Sequence, residues 1–184
     1  GAEHGQLVKL EIIEYPGAEH EARGKVVEVL GDPRDPRVLT DAAIEMFHIP
    51  SRWPDRTLED ARRIGSEVAA GDKRSRIDLR DMPLVTIDGE DARDFDDAVY
   101  AEPLEDGWRL VVAIADVSHY VRSGEAIDAE ARRRGTSVYF PDRVVPMLPE
   151  ELSNELCSLK PAVDRLCMVC DMRVDGRGNV TGST

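Results

Sequence analysis

Apolar and polar residues alternate from Gln6 to Glu14 ("QLVKLEIIE") and again from Gly24 to Asp32 ("GKVVEVLGD"), the two-residue period of half-buried strands. The segment "YPGAEHEAR" between them reads as turn and loop, which makes the pair a hairpin. Two strands alone are marginal in water, so the pair is expected to be the tail of a β-domain that begins outside this chain. "DPRDP" (32–36) reads as a linker, and the period then changes to a helical one. "VLTDAAIEMFHI" is a short helix stopped by Pro50. "TLEDARRIGSEVAAG" is a longer one, with Thr57 as N-cap, Asp60 three residues on, and Leu58, Ala61, Ile64 and Val68 as its apolar stripe before Gly71.

From Leu84 the strand pattern returns. "LVTI" is a short buried-type strand and "DAVYAE" (97–102) a second. The turn "PLEDG" leads into "WRLVVAIAD" (108–116), a third strand whose continuous apolar run predicts cover on both faces. "GEAIDAEARRRG" (124–135) is a helix with cations in its last turn and Gly135 after it. "LPEELSNELCSL" places Pro149 at a helix start and Leu152, Leu156 and Leu159 on one face. "RLCMVCDMRVDGRGNVTGST" reads as a strand, a Gly-rich turn and the first residues of a return strand. Both termini look cut, and the chain is expected to be part of a larger protein.

Composition narrows the class. The chain has 184 residues, 41% of them hydrophobic, so it can bury a real core. No apolar run reaches the roughly 20 residues that span a bilayer, and "GAEHGQLVKL" does not open like a signal peptide. Three cysteines argue against a disulfide framework and suit a reducing, cytoplasmic setting. A net charge of −13 runs against the basic footprint expected of a phosphate binder.

The charge is concentrated. Between Asp81 and Asp97 stand seven acidic residues and one base, Arg93. Asp88 closes the "LVTI" strand, and Asp94, Asp96 and Asp97 lie at the entrance to the next. Carboxylates crowded this way repel one another, and a divalent cation relieves the conflict. Oxygen-only ligands point to Mg²⁺ or Mn²⁺ and away from zinc. The order does not match a calcium EF-hand loop, since Arg93 and Phe95 occupy the alternate positions counted from Asp91. A solvated acidic loop is the plain alternative; the position between two predicted core strands favours a cation.

"DLRDMPLVTIDGEDARDFDDAVY" resembles the signature of the ribonuclease II/R family of RNB-domain exoribonucleases. The likeness continues through "WRLVVAIADVSHYVR", "RRRGTSVYFPDRVVPMLPEELSNELCSL" and "DRLCMVCDMRV". It implies an α+β fold: the end of an OB-type cold-shock β-barrel (1–32), a helical linker region (33–77), and the N-terminal part of the mixed α/β RNB catalytic domain (78–184). It implies a processive 3′-to-5′ hydrolytic exoribonuclease that releases nucleoside 5′-monophosphates. Its partners would be the single-stranded 3′ end of RNA and the remainder of the same protein, with no membrane involved. Carried over residue by residue, Asp88, Asp94, Asp96 and Asp97 would hold Mg²⁺ (or Mn²⁺), with Asp96 and Asp97 catalytic and Asp96 the most sensitive to neutralisation. Glu90 and Asp91 remain loop acids. Tyr139 matches a tyrosine that contacts the last nucleotides of the RNA; without the resemblance it would read as a core residue beside Phe140.

The other candidates stay with simpler readings. Arg132, Arg133 and Arg134 are balanced between phosphate contact and last-turn capping, and Arg143 is a weaker phosphate candidate. Cys167 and Cys170 have zinc-like spacing but fall on opposite faces of a strand. With Cys157 they are expected to be small buried hydrophobes. His119 reads as a packed or surface histidine. The competing reading of the whole is a non-catalytic metal-binding or scaffolding piece, and the chain alone is expected to bind RNA poorly.

Overall fold

A computed structural model describes residues 1–18 and 20–184. In chain order the elements are β1 (Leu7–Glu14), β2 (Arg23–Gly31), α1 (Pro36–Met46), α2 (Asp55–Ile64), α3 (Ala70–Lys73), β3 (Asp97–Leu104), β4 (Gly107–Ala115), α4 (Val117–Tyr120) and α5 (Ala126–Arg134). After these come β5 (Val138–Tyr139), β6 (Val144–Val145), a π-helical turn (Glu151–Leu156), β7 (Cys167–Asp175) and β8 (Val180–Ser183). The fold is α+β, as the sequence implies. The described residues form two compact units, 1–53 with 136–145, and 54–135 with 146–184.

In the first unit β1 and β2 pair antiparallel, with register shifts between Leu7 and Val8, Lys9 and Leu10, and Ile12 and Glu14. The loop expected between them includes residue 19, which lies outside the described residues. The end of "DPRDP" starts a helix: Asp35 is the N-cap of α1, its carboxylate accepting from the N–H of Arg37 (2.9 Å), and Pro36 takes the first turn, where no N–H is needed. α1 packs against β2. It ends at Met46 and does not run to Ile49 as the apolar pattern predicts, because His48 turns to φ 52°, a left-handed conformation that ends a helix. The β5–β6 hairpin belongs to this unit and is tied to α1, Thr40 Oγ1 donating to Asp142 Oδ1 (2.7 Å) and Arg143 pairing with Asp41.

The second unit holds a four-stranded antiparallel sheet, in the order β3-β4-β7-β8, whose Ala115 joins a core shared with α2 and α5. β3 and β4 meet through a two-residue turn, Glu105–Asp106, tighter than the expected "PLEDG". Gly107 sits next at φ 146°, where an added Cβ would lie 2.0 Å from the carbonyl oxygen of Val174. The alternation along β4 buries Val111, Ala113 and Ala115 and leaves Trp108 and Ile114 half exposed. β4 is thus covered on one face, not two. The core beneath it joins Ala61, Ala115, Ile127, Leu148, Leu152, Leu156 and Cys157.

Two helical expectations are corrected here. The single helix read over 57–71 is two, because Gly65 (φ 85°) closes α2 in a left-handed conformation and Gly71 falls inside α3. Thr57 is not its N-cap; Pro54 holds that place and Thr57 is buried within the first turn. The "LVTI" strand is corrected as well. It contributes one bridge, Val85 to Val99, and Val85 and Ile87 are exposed, so it borders the sheet without joining the core. Among the described residues no helix is long and apolar enough to cross a membrane.

Candidate metal centre

The acidic residues lie where β3 begins and β4 ends. Asp97 is the first residue of β3, opposite Ile114. Asp88 stands three residues after the Val85–Val99 bridge, whose two hydrogen bonds (2.9 and 2.8 Å) bring that segment to the outer edge of β3. The irregular chain in between is tied down at its second half. The N–H of Phe95 donates to Ser158 Oγ (3.1 Å), and Ser158 Oγ donates to the carbonyl of Arg93 (2.7 Å). The N–H of Leu159 donates to the carbonyl of Phe95, and that of Ala115 to the carbonyl of Asp96, both at 2.8 Å.

This path makes Asp96 the electrostatic centre of the group. Asp96 keeps a solvent-facing surface, yet partial desolvation pushes its carboxyl above the ordinary carboxylate value. The charges of Asp94, Asp97 and Asp88 then push it the same way. All four aspartates singled out from the sequence therefore share one neighbourhood. They are not closed into a cage: among the described residues no three His, Cys, Asp or Glu side chains stand together at a spacing that would hold an ion. The donor set is oxygen-only, and a divalent cation would lift the repulsion that raises Asp96, so the residues suit Mg²⁺ in chemistry. Asp116, which follows the last residue of β4, is committed elsewhere. It is buried and bonded to Arg76 (2.7 Å) and Ser118 (2.7 Å).

Tyr139 lies in the first unit, on β5, and is 65% exposed, so it is not a core residue beside Phe140. The three arginines of α5 have partners within their own helix. Arg132 bonds Asp128 (3.2 Å), Arg133 bonds Glu130 (2.6 Å), and buried Arg134 bonds Glu130 and the carbonyl of Pro146 (both 2.9 Å). Arg143 pairs with Asp41. His119 is packed in an ion network, its Nε2 3.2 Å from Asp72 and its Nδ1 3.4 Å from Arg76.

The cysteines divide. Cys157 is buried as expected, and burial first, then the charges of Asp96 and Asp116, push its thiol up to about 12. A thiol held protonated in this way is neither a nucleophile nor a metal ligand. Cys167 is half-buried and Cys170 is exposed, which corrects the expectation that all three are buried; β7, which carries both, has no fully buried residue. Sequence reasoning missed Ser158. It comes after Cys157 in the run "CSL" with no polar pattern around it, and only the folded chain brings it to a loop more than 60 residues away.

Residues 76–184 match the RNB domain and residues 1–54 the cold shock domain. The chain belongs to the RNB family, with a cold-shock segment preceding the RNB fold. Its relatives are bacterial ribonuclease R, the branch of the family that the acidic motif most resembles. The chain is 55% identical over 183 residues to ribonuclease R of Escherichia coli (strain K12), covering 99% of this chain and 22% of that protein. It is 54% identical over 179 residues to ribonuclease R of Acidithiobacillus ferrooxidans, covering 97% of this chain and 41% of that protein. Its structure matches that of Mycoplasma genitalium RNase R in complex with double-stranded RNA at a TM-score of 0.86 and 35% identity, over 98% of this chain and 32% of the other. The chain thus spans well under half the length of these relatives.

Proposed function

We propose that the protein to which this chain belongs is a processive 3′-to-5′ exoribonuclease that hydrolyses phosphodiester bonds with Mg²⁺ and releases nucleoside 5′-monophosphates. The observation that carries the reading is the crowding of Asp94, Asp97 and Asp88 about Asp96 in a chain whose relatives are bacterial ribonuclease R. Asp88, Asp94, Asp96 and Asp97 would hold the cation, with Mn²⁺ as a substitute. When bound, the ion supplies positive charge that acidifies a water and stabilises the leaving 3′ oxygen. The aspartates contribute the carboxylate oxygens and a field that favours a divalent ion over a free proton. A sequence-indifferent enzyme gains from an aromatic that stacks on any base, the role we assign to exposed Tyr139.

The test is Asp96→Asn in the full-length protein. The substitution removes charge at nearly constant volume, so hydrolysis of single-stranded RNA should fall by at least about a thousandfold while RNA affinity stays within about twofold. An Asn variant that digests RNA at the normal rate would remove the assignment. The rival, a non-catalytic metal-binding or scaffolding piece, draws on the lack of a closed three-carboxylate cage among the described residues. It is favoured if the unmodified full-length protein with Mg²⁺ releases no mononucleotides.

A further inference from the structure

We propose that Ser158 is a positioning residue for the carboxylate site: its hydroxyl sets the backbone path through residues 93–95 and thereby the spacing of Asp94, Asp96 and Asp97. The inference rests on the reading of those aspartates as the ligands of a metal-dependent nuclease. Ser158 is fully buried. Its hydroxyl uses both of its capacities on one loop, donating to the carbonyl of Arg93 (2.7 Å) and accepting from the N–H of Phe95 (3.1 Å). These two backbone groups flank Asp94. On the far side, the carbonyls of Phe95 and Asp96 are held by the N–H groups of Leu159 and Ala115. The backbone around Asp94 and Asp96 is thus held by groups from outside the loop, and Ser158 supplies the side-chain part.

Ser158 can act as a fixed post because its own frame is rigid. Its N–H donates to the carbonyl of Glu155 (3.2 Å), and its carbonyl accepts from Arg165 Nε (3.0 Å) and the N–H of Lys160 (2.8 Å). The preceding turn is π-helical, closed by Cys157 N–H to the carbonyl of Leu152 (2.8 Å), with Leu152 and Leu156 sealed in the core. The extra residue of a π-helical turn re-aims the chain that leaves it. In a loop of mutually repelling carboxylates, small changes in backbone path alter how many oxygens reach one ion. Groups that orient ligands without touching the metal change affinity by about 10–100-fold when removed.

The experiment compares full-length variants, reading Mn²⁺ binding directly from the electron paramagnetic resonance of the free ion and, separately, RNA hydrolysis against Mg²⁺ concentration. Ser158→Ala is expected to weaken Mn²⁺ binding by about 10–100-fold and to regain hydrolysis as Mg²⁺ is raised. Ser158→Cys, near-isosteric with a weak donor, should fall between it and the wild type, and serves alone if the alanine variant does not fold. Ile44→Val, a buried change on α1 in the first unit, lowers the melting temperature without moving Mn²⁺ affinity. Wild-type Mn²⁺ affinity in folded Ser158→Ala, or in Ser158→Cys where that variant serves alone, would overturn the positioning role and leave the metal reading standing. Wild-type Mn²⁺ affinity and hydrolysis in Asp96→Asn would overturn the metal reading itself.

Discussion

Asp96 and Cys157 lie close enough for the carboxylate to help raise the thiol, and burial comes first among the causes in both. That pairing sets the reactivity expected of the cysteines. With its thiol near 12, Cys157 is almost wholly protonated at neutral pH, whereas Cys170 is exposed on β7. Alkylation with iodoacetamide at pH 8, read by mass spectrometry, should modify Cys170 first and Cys157 only on unfolding. Tyr139 poses a different question at this scale. Its ring is exposed, so Tyr139→Ala costs little stability, within about 0.5 kcal/mol. If the ring holds the last nucleotides, the same change in the full-length protein alters the length of the smallest product on a sequencing gel. An unchanged product pattern would leave Tyr139 a surface residue.

Short elements here depend on ion pairs as much as on apolar stripes. α4 starts at Asp116, which accepts from the N–H of His119 (3.2 Å) and Ser118 Oγ and pairs with Arg76, a residue that also reaches the carbonyl of Cys167 (3.4 Å). Burial pushes the Asp116 carboxyl up. The bonds from Ser118 and Arg76 outweigh it and leave the group below its ordinary 3.8. A carboxyl depressed in the folded state contributes stability that is present above its unfolded value and is lost as pH falls through its folded one. Urea denaturation between pH 7 and pH 2 should therefore show stability declining below about pH 4, and less steeply in Asp116→Asn. At pH 7 that variant should lose about 3 kcal/mol, the low end for breaking a buried pair, because the Arg76 side chain keeps 29% of its surface.

For the whole molecule the charge balance matters most. A cavity of 530 Å³ in the second unit carries Lys73, Arg76, Arg80, Lys160 and Arg165 on its wall, and all are engaged: Lys73 with Asp164 (2.8 Å), Arg76 with Asp116 (2.7 Å), Arg80 with Asp78 (2.5 Å), Lys160 with Glu155 (2.9 Å), and Arg165 with the carbonyls of Ser158 (3.0 Å) and Asp164 (2.9 Å). With a net charge of −13 and these cations engaged, residues 1–184 should bind RNA weakly and release no mononucleotides when incubated alone with single-stranded RNA and Mg²⁺. Fluorescence anisotropy of a labelled 3′ end gives the affinity, and thin-layer chromatography the products. Progressive release of 5′-monophosphates from the 3′ end would show that this stretch suffices.

The sequence by itself determined the hairpin of β1 and β2, the β3–β4 and β7–β8 pairs, α5 with its Gly135 stop, and the crowding of acidic residues ahead of β3. These come from local periodicity and from an ordered acidic motif, both carried by neighbours along the chain. Where α2 ends and where "LVTI" lies were decided by a backbone turned left-handed at Gly65 and by a segment that meets β3 through one bridge, neither of which a periodicity registers. Only the tertiary structure joined Ser158 to Arg93 and Phe95, and Arg76 to Asp116. Such contacts depend on where long separations of chain return to one another. That is settled by how the core of Leu152, Leu156 and Ile127 packs beneath the sheet, and leaves no mark on the residues beside them.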